Sequence, residues 1–307
     1  MDDCIAEYEK LSKTVFEIDN VLAGVIPVGD DKCRFDYKKL ENAIKDVVKE
    51  KLKDENATMA DKNAVMVPTF VVATKGLHAE APPTLFRSYQ CEDHDASECT
   101  IWEAGRATSA APTFFKPIQI GRGVFVDGGL AHNNPSEIAL TEAQKIWKSA
   151  KRFCLVSVGT GRLTPIRVVN PDSGSSASTE PRPSKRSKTT SSLKWATKVQ
   201  NLMLGAAVNA PVGLSILISM GKICVELSTN SEHVHMRLQD RFELQDTERR
   251  LRYHRFNVDH GMENIGLEEF NKMNEIAMHT AAYLDARTGL RNACVQELML
   301  PEAMECK

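Results

Sequence analysis

The stretch GRGVFVDGGLAHNNPSEIALTEAQKIW, residues 121–147, predicts a strand, a tight turn and a helix in direct succession. Residues 124–126 are Val-Phe-Val and form the expected strand, because β-branched and aromatic residues favour extended backbone. Asp127 to Gly129 form the expected turn, since Asp-Gly is a common turn pair and glycine lets the chain bend. Asn134 and Pro135 open the predicted helix, where proline is tolerated at the first position. A carboxylate is therefore expected directly after a buried strand.

Strands and helices alternate on both sides of this stretch, which predicts an α/β layered fold. The run AVMVPTFVVATKG at 64–76 is apolar on both faces, and this fits a sheet covered by helices on both sides. Further strands are predicted at 84–91, 151–161 and 251–258, and helices at 3–18, 36–51, 100–115, 267–286 and 288–299.

Composition narrows the class of protein and of partner. The chain has 307 residues, of which 42% are hydrophobic and 26% charged, enough for a sizeable core in a soluble protein. Its net charge of −2 gives no general attraction to nucleic acid or to an anionic membrane, so any lipid must be recognised by a local surface. The acidic start at Met1 to Cys4 lacks the apolar region of a signal peptide. We therefore expect reduced cysteines and a cytoplasmic or peripheral membrane location.

Cys91, His94 and Cys99 lie together in CEDHDASEC, where a zinc site and a polar surface loop are the alternatives. Structural zinc sites usually combine two short ligand pairs, and the sequence offers no second half-site here. The loop is the favoured interpretation, and no metal or organic cofactor is predicted.

Residues 162–192 are rich in Ser, Thr and Pro, and we predict a disordered insertion because they cannot bury enough apolar surface. Within them, the basic run Arg182 to Lys188 is either a targeting or phosphorylation segment or a solvated loop. The apolar run 201–218 predicts a core helix or helix pair, with a lipid-contacting face as the alternative. The chain thus divides into 1–161, the insertion, and a helical part of the same domain at 193–307.

Asp127 is the first candidate for chemistry. A carboxylate held by a rigid strand end can act as a general base towards a hydroxyl if desolvation raises its pKa. The alternative from these residues alone is that Asp127 only caps a turn.

Three segments, taken in order, carry a family resemblance: IWEAGRATSAAPTFFKP at 101–117, FVDGGLAHNNP at 125–135 and CLVSVGTG at 154–161. They resemble the second half of the patatin-like phospholipase family, in which an ATSAAP-type helix precedes a D-G-[GA] motif and an N-N-P helix start. ELSTNSEHVHMRL at 226–238 and YHRFNV at 253–258 resemble later segments of that family, especially of its fungal members. The resemblance implies a three-layer α/β/α sandwich, incomplete at its N-terminus, with 1–161 as the partial patatin-like domain.

The resemblance also implies an activity and a site. Family members hydrolyse lipid esters with a Ser-Asp dyad that contains no histidine. Asp127 matches the general base, Gly128 and Gly129 complete the motif, and His132 is interpreted as a loop histidine. The implied partner is a lipid ester or a membrane surface, and the implied role is lipid catabolism.

The chain departs from the family at the nucleophile, because it contains neither G-x-S-x-G nor the family's glycine-rich oxyanion loop D-G-G-G-x-R-G. The nearest serines, in GSSAS at 174–178 and GLSIL at 213–217, lack the closing glycine, and Ser109 is expected to be a small packing residue. We therefore expect a serine upstream of Met1 and no catalysis by this chain alone. The alternatives are a non-catalytic lipid- or protein-binding module, and an unrelated α/β protein in which DGG is only a turn.

Overall fold

The computed structural model describes residues 2–17, 33, 35–60, 67–76, 82–91, 94–112, 114–162, 231–242, 251–262, 265–266 and 268–299. The predicted insertion from residue 163 onwards and the apolar run 201–218 lie outside these residues. Helices and strands alternate along the described chain, and this confirms the predicted α/β class.

The helices are α1 (Asp2–Val15), α2 (Tyr37–Leu52), α3 (Ile101–Thr108), α4 (Gly129–His132), α5 (Ser136–Ile146), α6 (described over 231–242), α7 (Met273–Ala286) and α8 (Thr288–Met299). The strands are β1 (Phe70–Lys75), β2 (Thr84–Arg87), β3 (Ile118–Ile120), β4 (Gly123–Asp127), β5 (Phe153–Val158) and β6 (Leu251–Phe256). A 3₁₀ turn at Phe270–Lys272 leads into α7. The sequence patterns did not indicate α4, α6 or β3.

Four strands form an antiparallel sheet in the order β2-β1-β4-β3. In its register Ala73 of β1 lies opposite Asp127 of β4, so the carboxylate lies at the end of an inner strand. α3 packs on one face through Ala104 and Ala107, which are buried against Ala73 and Phe125. On the other face, Arg87 of β2 pairs with Glu142 of α5. Helices therefore contact both faces of the sheet.

α3 approaches the sheet closely because the residues that face the sheet, Ala104 and Ala107, are small, and it ends earlier than the predicted 100–115. A capping box between Thr100 and Glu103 begins the helix. The Thr108 hydroxyl donates to the Val72 carbonyl of β1 at 2.6 Å. Beyond Thr108 the chain turns, so that the Ala110 carbonyl accepts the Asp127 N–H at 3.0 Å. The helix thus ends before Pro112, where the Ala110 carbonyl accepts from the sheet instead of continuing the helix.

β5 and β6 form a separate parallel pair with Phe153 opposite Leu251. One face packs against Leu140 of α5 and against Val234 and Leu238 of α6. Arg252 on the opposite face pairs with Glu297 of α8 at 3.1 Å. No helix in the described ranges combines the length and the apolar composition that a bilayer crossing requires.

Candidate active site

Asp127 is held by backbone contacts on both sides. Its N–H donates to Ala110 beyond α3, and its position in the sheet is fixed opposite Ala73. Oδ1 accepts the N–H of Gly129 at 2.7 Å. Among the described residues, no other hydrogen bond and no cation within ion-pair distance reaches the carboxylate.

The sequence predicts that the glycines of DGG let the chain bend, but the backbone of Gly128 does not require a glycine for this purpose. Gly128 has helical backbone angles, φ −62° and ψ −26°, that any residue adopts, and α4 begins directly after it. The reason for glycine is space: a Cβ at Gly128 would overlap the Val72 carbonyl oxygen and lie 2.6 Å from the carbonyl carbon. The first glycine of DGG thus allows the β1 backbone to approach the start of α4.

Burial raises the pKa of Asp127 to about 6, while the hydrogen bond from the Gly129 N–H acts in the opposite direction. Desolvation is the larger cause because no described cation compensates the carboxylate. A carboxyl group with a pKa near the working pH suits a general base, since it is ionised yet still basic.

Neither His132 nor Ser109 forms a described hydrogen bond with Asp127. His132 lies at the end of α4 rather than in a loop, and burial lowers its pKa. Ser109 is the C-cap of α3, half-buried, with its N–H on the Gly105 carbonyl at 3.2 Å. The structure therefore brings no second catalytic group to Asp127 from these two positions.

Asn134 fixes the start of α5, which begins at Ser136, one residue after Pro135. Its Oδ1 accepts from the Ser136 N–H at 3.2 Å and from the Ser136 hydroxyl at 2.6 Å. Its Nδ2 donates to the Ser231 carbonyl of α6 at 3.0 Å. The N-N-P segment thus joins the chain after Asp127 to α6.

The predicted loop around Cys91 has a local backbone bridge. The Cys91 N–H donates to the His94 carbonyl at 2.9 Å, and the His94 N–H donates to the Cys91 carbonyl at 3.1 Å. Cys99 packs against the core beside α3, and burial, with Glu103 nearby, raises the pKa of its thiol to about 11. Such a thiol is a poor source of the thiolate that zinc requires. In the described part of the chain, no three metal-binding side chains cluster.

A cavity of about 1380 Å³ lies beside the start of α5, and Asp127 is not among its lining residues. Its walls are the segment 133–136, the end of β5 with the glycine turn 159–161, and parts of α6 and β6. Arg255 of β6 and Ser157 of β5 face this space, and the sequence analysis missed both. The signal that could have indicated Arg255 is a cation in the middle of the strand LRYHRFNV.

Known proteins resemble this chain over about half its length. Residues 4–140 match the family model described as patatin-like phospholipase. Human calcium-independent phospholipase A2-gamma is 33% identical over 168 residues, which cover 53% of this chain and 21% of that protein. Phospholipase A I of Arabidopsis thaliana is 30% identical over 164 residues, 41% of this chain and 12% of that protein. Patatin-like protein 6 of Arabidopsis thaliana is 28% identical over 160 residues, 48% of this chain and 30% of that protein.

The chain spans about a fifth of the length of the human relative that it matches. The family match includes Asp127 to Gly129 and confirms the resemblance for the segments 101–117 and 125–135, whereas the later segments lie beyond the matched residues. It also removes the alternative of an unrelated α/β protein. Residues 4–140 therefore match the patatin-like phospholipase family, whose members are lipid acyl hydrolases.

Proposed function

We propose that these residues form the base-carrying part of a lipid acyl hydrolase, with Asp127 as the general base of a Ser-Asp dyad. The observation that carries this proposal is the desolvated carboxylate at the end of β4, with its pKa raised to about 6 and no described cation beside it. Because Oδ1 is held by the Gly129 N–H, Oδ2 is the atom that accepts the proton.

The proposed reaction needs a serine that the 307 residues do not provide in a G-x-S-x-G elbow. In our proposal the serine and the oxyanion loop come from sequence outside these residues. The serine oxygen attacks the ester carbonyl carbon while its proton passes to Oδ2 of Asp127. The bond to the lipid alcohol breaks, and the alcohol leaves with that proton. Water then attacks the acyl-serine, gives its proton to Asp127, and the serine recovers it as the fatty acid leaves.

The rate losses expected without an oxyanion loop and a nucleophile explain why we expect no hydrolysis by the 307-residue chain alone. Removing a single oxyanion donor lowers the rate by roughly 10²–10³. Removing the nucleophile from a coupled catalytic set lowers it by up to about 10⁶. A base without a nucleophile has no proton to accept. The substrate we propose is a lipid ester at a membrane surface, hydrolysed without a metal or organic cofactor in lipid catabolism.

The test is hydrolysis of a p-nitrophenyl ester and of a phospholipid by this chain and by a version extended upstream to include a G-x-S-x-G segment. We expect turnover only in the extended version, falling by roughly 10²–10⁴ in Asp127→Asn. The rate should rise with pH and reach half its plateau near pH 6, because only the ionised carboxylate accepts the proton. Turnover by the 307-residue chain that Asp127→Asn abolishes would show that it holds its own nucleophile.

A non-catalytic lipid- or protein-binding module is the second candidate. It is favoured by the missing nucleophile together with apolar side chains that remain exposed on β5, where Val158 is 76% exposed. This candidate predicts a stable protein whose upstream-extended version is also inactive. An active extended version would exclude it.

A further inference from the structure

Arg255 is a cation without a described carboxylate partner. It lies on β6 and lines the cavity beside α5. Nη1 donates to the Ser157 hydroxyl at 2.7 Å, and Nη2 donates to the Ser231 hydroxyl at 3.1 Å. Nε is buried and has no acceptor. A partly buried guanidinium held only by neutral hydroxyls keeps an uncompensated charge, which an anionic ligand in the cavity would neutralise.

The other two arginines of the cavity are neutralised. Arg162 lies 3.5 Å from Glu232 and 3.5 Å from Asp259. Arg287 lies 2.8 Å from Asp259. The uncompensated positive charge of the described cavity wall is therefore located at Arg255.

The surroundings of Arg255 hold its guanidinium in place. A Cβ at Gly159 would lie 2.7 Å from Nη2 of Arg255, so the glycine turn leaves the room that the guanidinium occupies. The same turn is fixed by the Gly161 N–H, which donates to Oδ1 of Asn257 at 2.8 Å. Ser157 is also bonded to the Ser136 hydroxyl at 2.8 Å. The guanidinium is thus held by Ser157 of β5, by Ser231 of α6 and by the glycine turn, which reduces the entropy lost when a ligand binds.

We propose that Arg255, with Ser157 and Ser231, binds a phosphate group. A guanidinium presents a planar fork that matches two oxygens of a phosphate, and serine hydroxyls can rotate to donate to a third. A phosphate group provides acceptors for the remaining N–H groups on the terminal nitrogens of the guanidinium and for the Ser231 hydroxyl, while Ser157 holds the guanidinium in place.

The ligand we assign is the head-group phosphate of a phospholipid, and this assignment rests on the proposed lipid acyl hydrolase function. Apolar side chains line the same cavity, so a phosphate that carries a hydrocarbon part fits it better than a free phosphate. These side chains are Ala139, Leu155, Met236 and Ile265. Asn133, six residues after Asp127, also lines it, which connects the cavity to the segment that carries the base.

The experiment measures binding rather than turnover, so its outcome is independent of the nucleophile. Calorimetry compares three probes on the 307-residue chain: dihexanoyl phosphatidic acid, dihexanoyl glycerol and inorganic phosphate. We expect phosphatidic acid to bind at least tenfold more tightly than either of the other two. Arg255→Gln should weaken its binding at least tenfold, and Arg255→Lys should weaken it less because the charge remains.

The matched control is Arg237→Gln on α6, an exposed arginine paired with Glu137 at 2.7 Å and outside the cavity wall. It should leave the affinity within twofold, and because the readout is binding, the result does not depend on the hydrolase proposal. Urea denaturation checks that each variant is folded, and Ser231→Ala replaces Arg255→Gln if the latter is not. Unchanged phosphatidic acid binding in a folded Arg255→Gln or Ser231→Ala variant would overturn the site. Equal affinity for inorganic phosphate and phosphatidic acid would overturn the lipid assignment.

Discussion

At the scale of single residues, Asp127 combines a proposed role in catalysis with a cost to the stability of the fold. Its pKa is 3.8 when unperturbed and rises to about 6 in the fold because burial disfavours the charged form. Well below pH 3.8 the carboxyl is protonated in both the folded and the unfolded state, so no charge is buried and the fold loses no stability. As pH rises towards 6 the unfolded chain ionises first, so the folded state loses stability. Above pH 6 the full penalty, on the order of 1–3 kcal/mol, is present.

Asp127→Asn should therefore make the fold more stable at neutral pH while it removes the proposed base. We expect the free energy of unfolding at pH 7.5 to increase by about 1–3 kcal/mol, and the increase to vanish near pH 4. The amide oxygen of Asn can still accept the Gly129 N–H, so the local hydrogen bond is retained. Urea denaturation at both pH values measures the effect.

The control for this substitution is Asp46→Asn on the exposed side of α2, which should change stability by less than about 0.5 kcal/mol at either pH. An Asp127→Asn variant as stable as the wild type at pH 7.5 would contradict the desolvated carboxylate.

At the scale of secondary structure, the sequence predicts the elements better than their ends and contacts. The run 64–76 predicts β1, but β1 begins only at Phe70. Pro68 has no N–H to donate to a ladder, which explains why 67–69 are not strand. Gly128 is recognisable as a motif residue, yet its reason is the Val72 carbonyl, 56 positions away in the chain. Periodicity reports local burial and carries no information on such long-range contacts.

Arg87 and Glu142 illustrate the same limit, since they are 55 positions apart. Arg87 of β2 donates from Nη2 to Glu142 of α5 at 3.0 Å, and the Tyr89 hydroxyl donates to the same carboxylate at 2.8 Å. The Glu142 side chain is 4% exposed. These hydrogen bonds, chiefly those from Arg87, lower the pKa of Glu142 to about 2. The pair therefore connects the edge of the four-stranded sheet to α5.

Glu142→Gln should destabilise the fold by about 3 kcal/mol at pH 7, because it leaves the Arg87 guanidinium buried without a counter-charge. The stabilisation by Glu142 is fully present above the unfolded pKa of 4.5 and is lost as pH falls towards 2. The difference between wild type and variant should therefore shrink between pH 4.5 and pH 2, as measured by chemical denaturation.

The matched control is Glu137→Gln on the same helix, since Glu137 forms an exposed pair with Arg237. An exposed pair of this kind contributes less than about 1 kcal/mol. Equal losses of unfolding free energy in the two variants would mean that burial of the Arg87–Glu142 pair does not increase its contribution to stability.

At the scale of the whole molecule, the parallel β5–β6 pair has an open side. β5 pairs with β6 along one edge, and no described strand pairs with its other edge. Val156 and Val158 lie on the same face of β5 and are 39% and 76% exposed. Natural sheets usually protect such an edge with charged residues, and β5 reads FCLVSV without any. An unprotected apolar edge is a template for pairing with another chain.

Val158→Lys should therefore slow the aggregation of the 307-residue chain several-fold without changing its free energy of unfolding by more than about 0.5 kcal/mol. The reason is that an exposed side chain contributes little to the fold, whereas a charge on the edge opposes strand-to-strand association between copies. Light scattering at 37 °C measures the aggregation rate, and urea denaturation measures the stability. Val67→Lys is the matched control, because Val67 is 79% exposed but lies outside the strands. If both lysines slow aggregation equally, added charge explains the effect, and the open edge of β5 is not the surface through which copies associate.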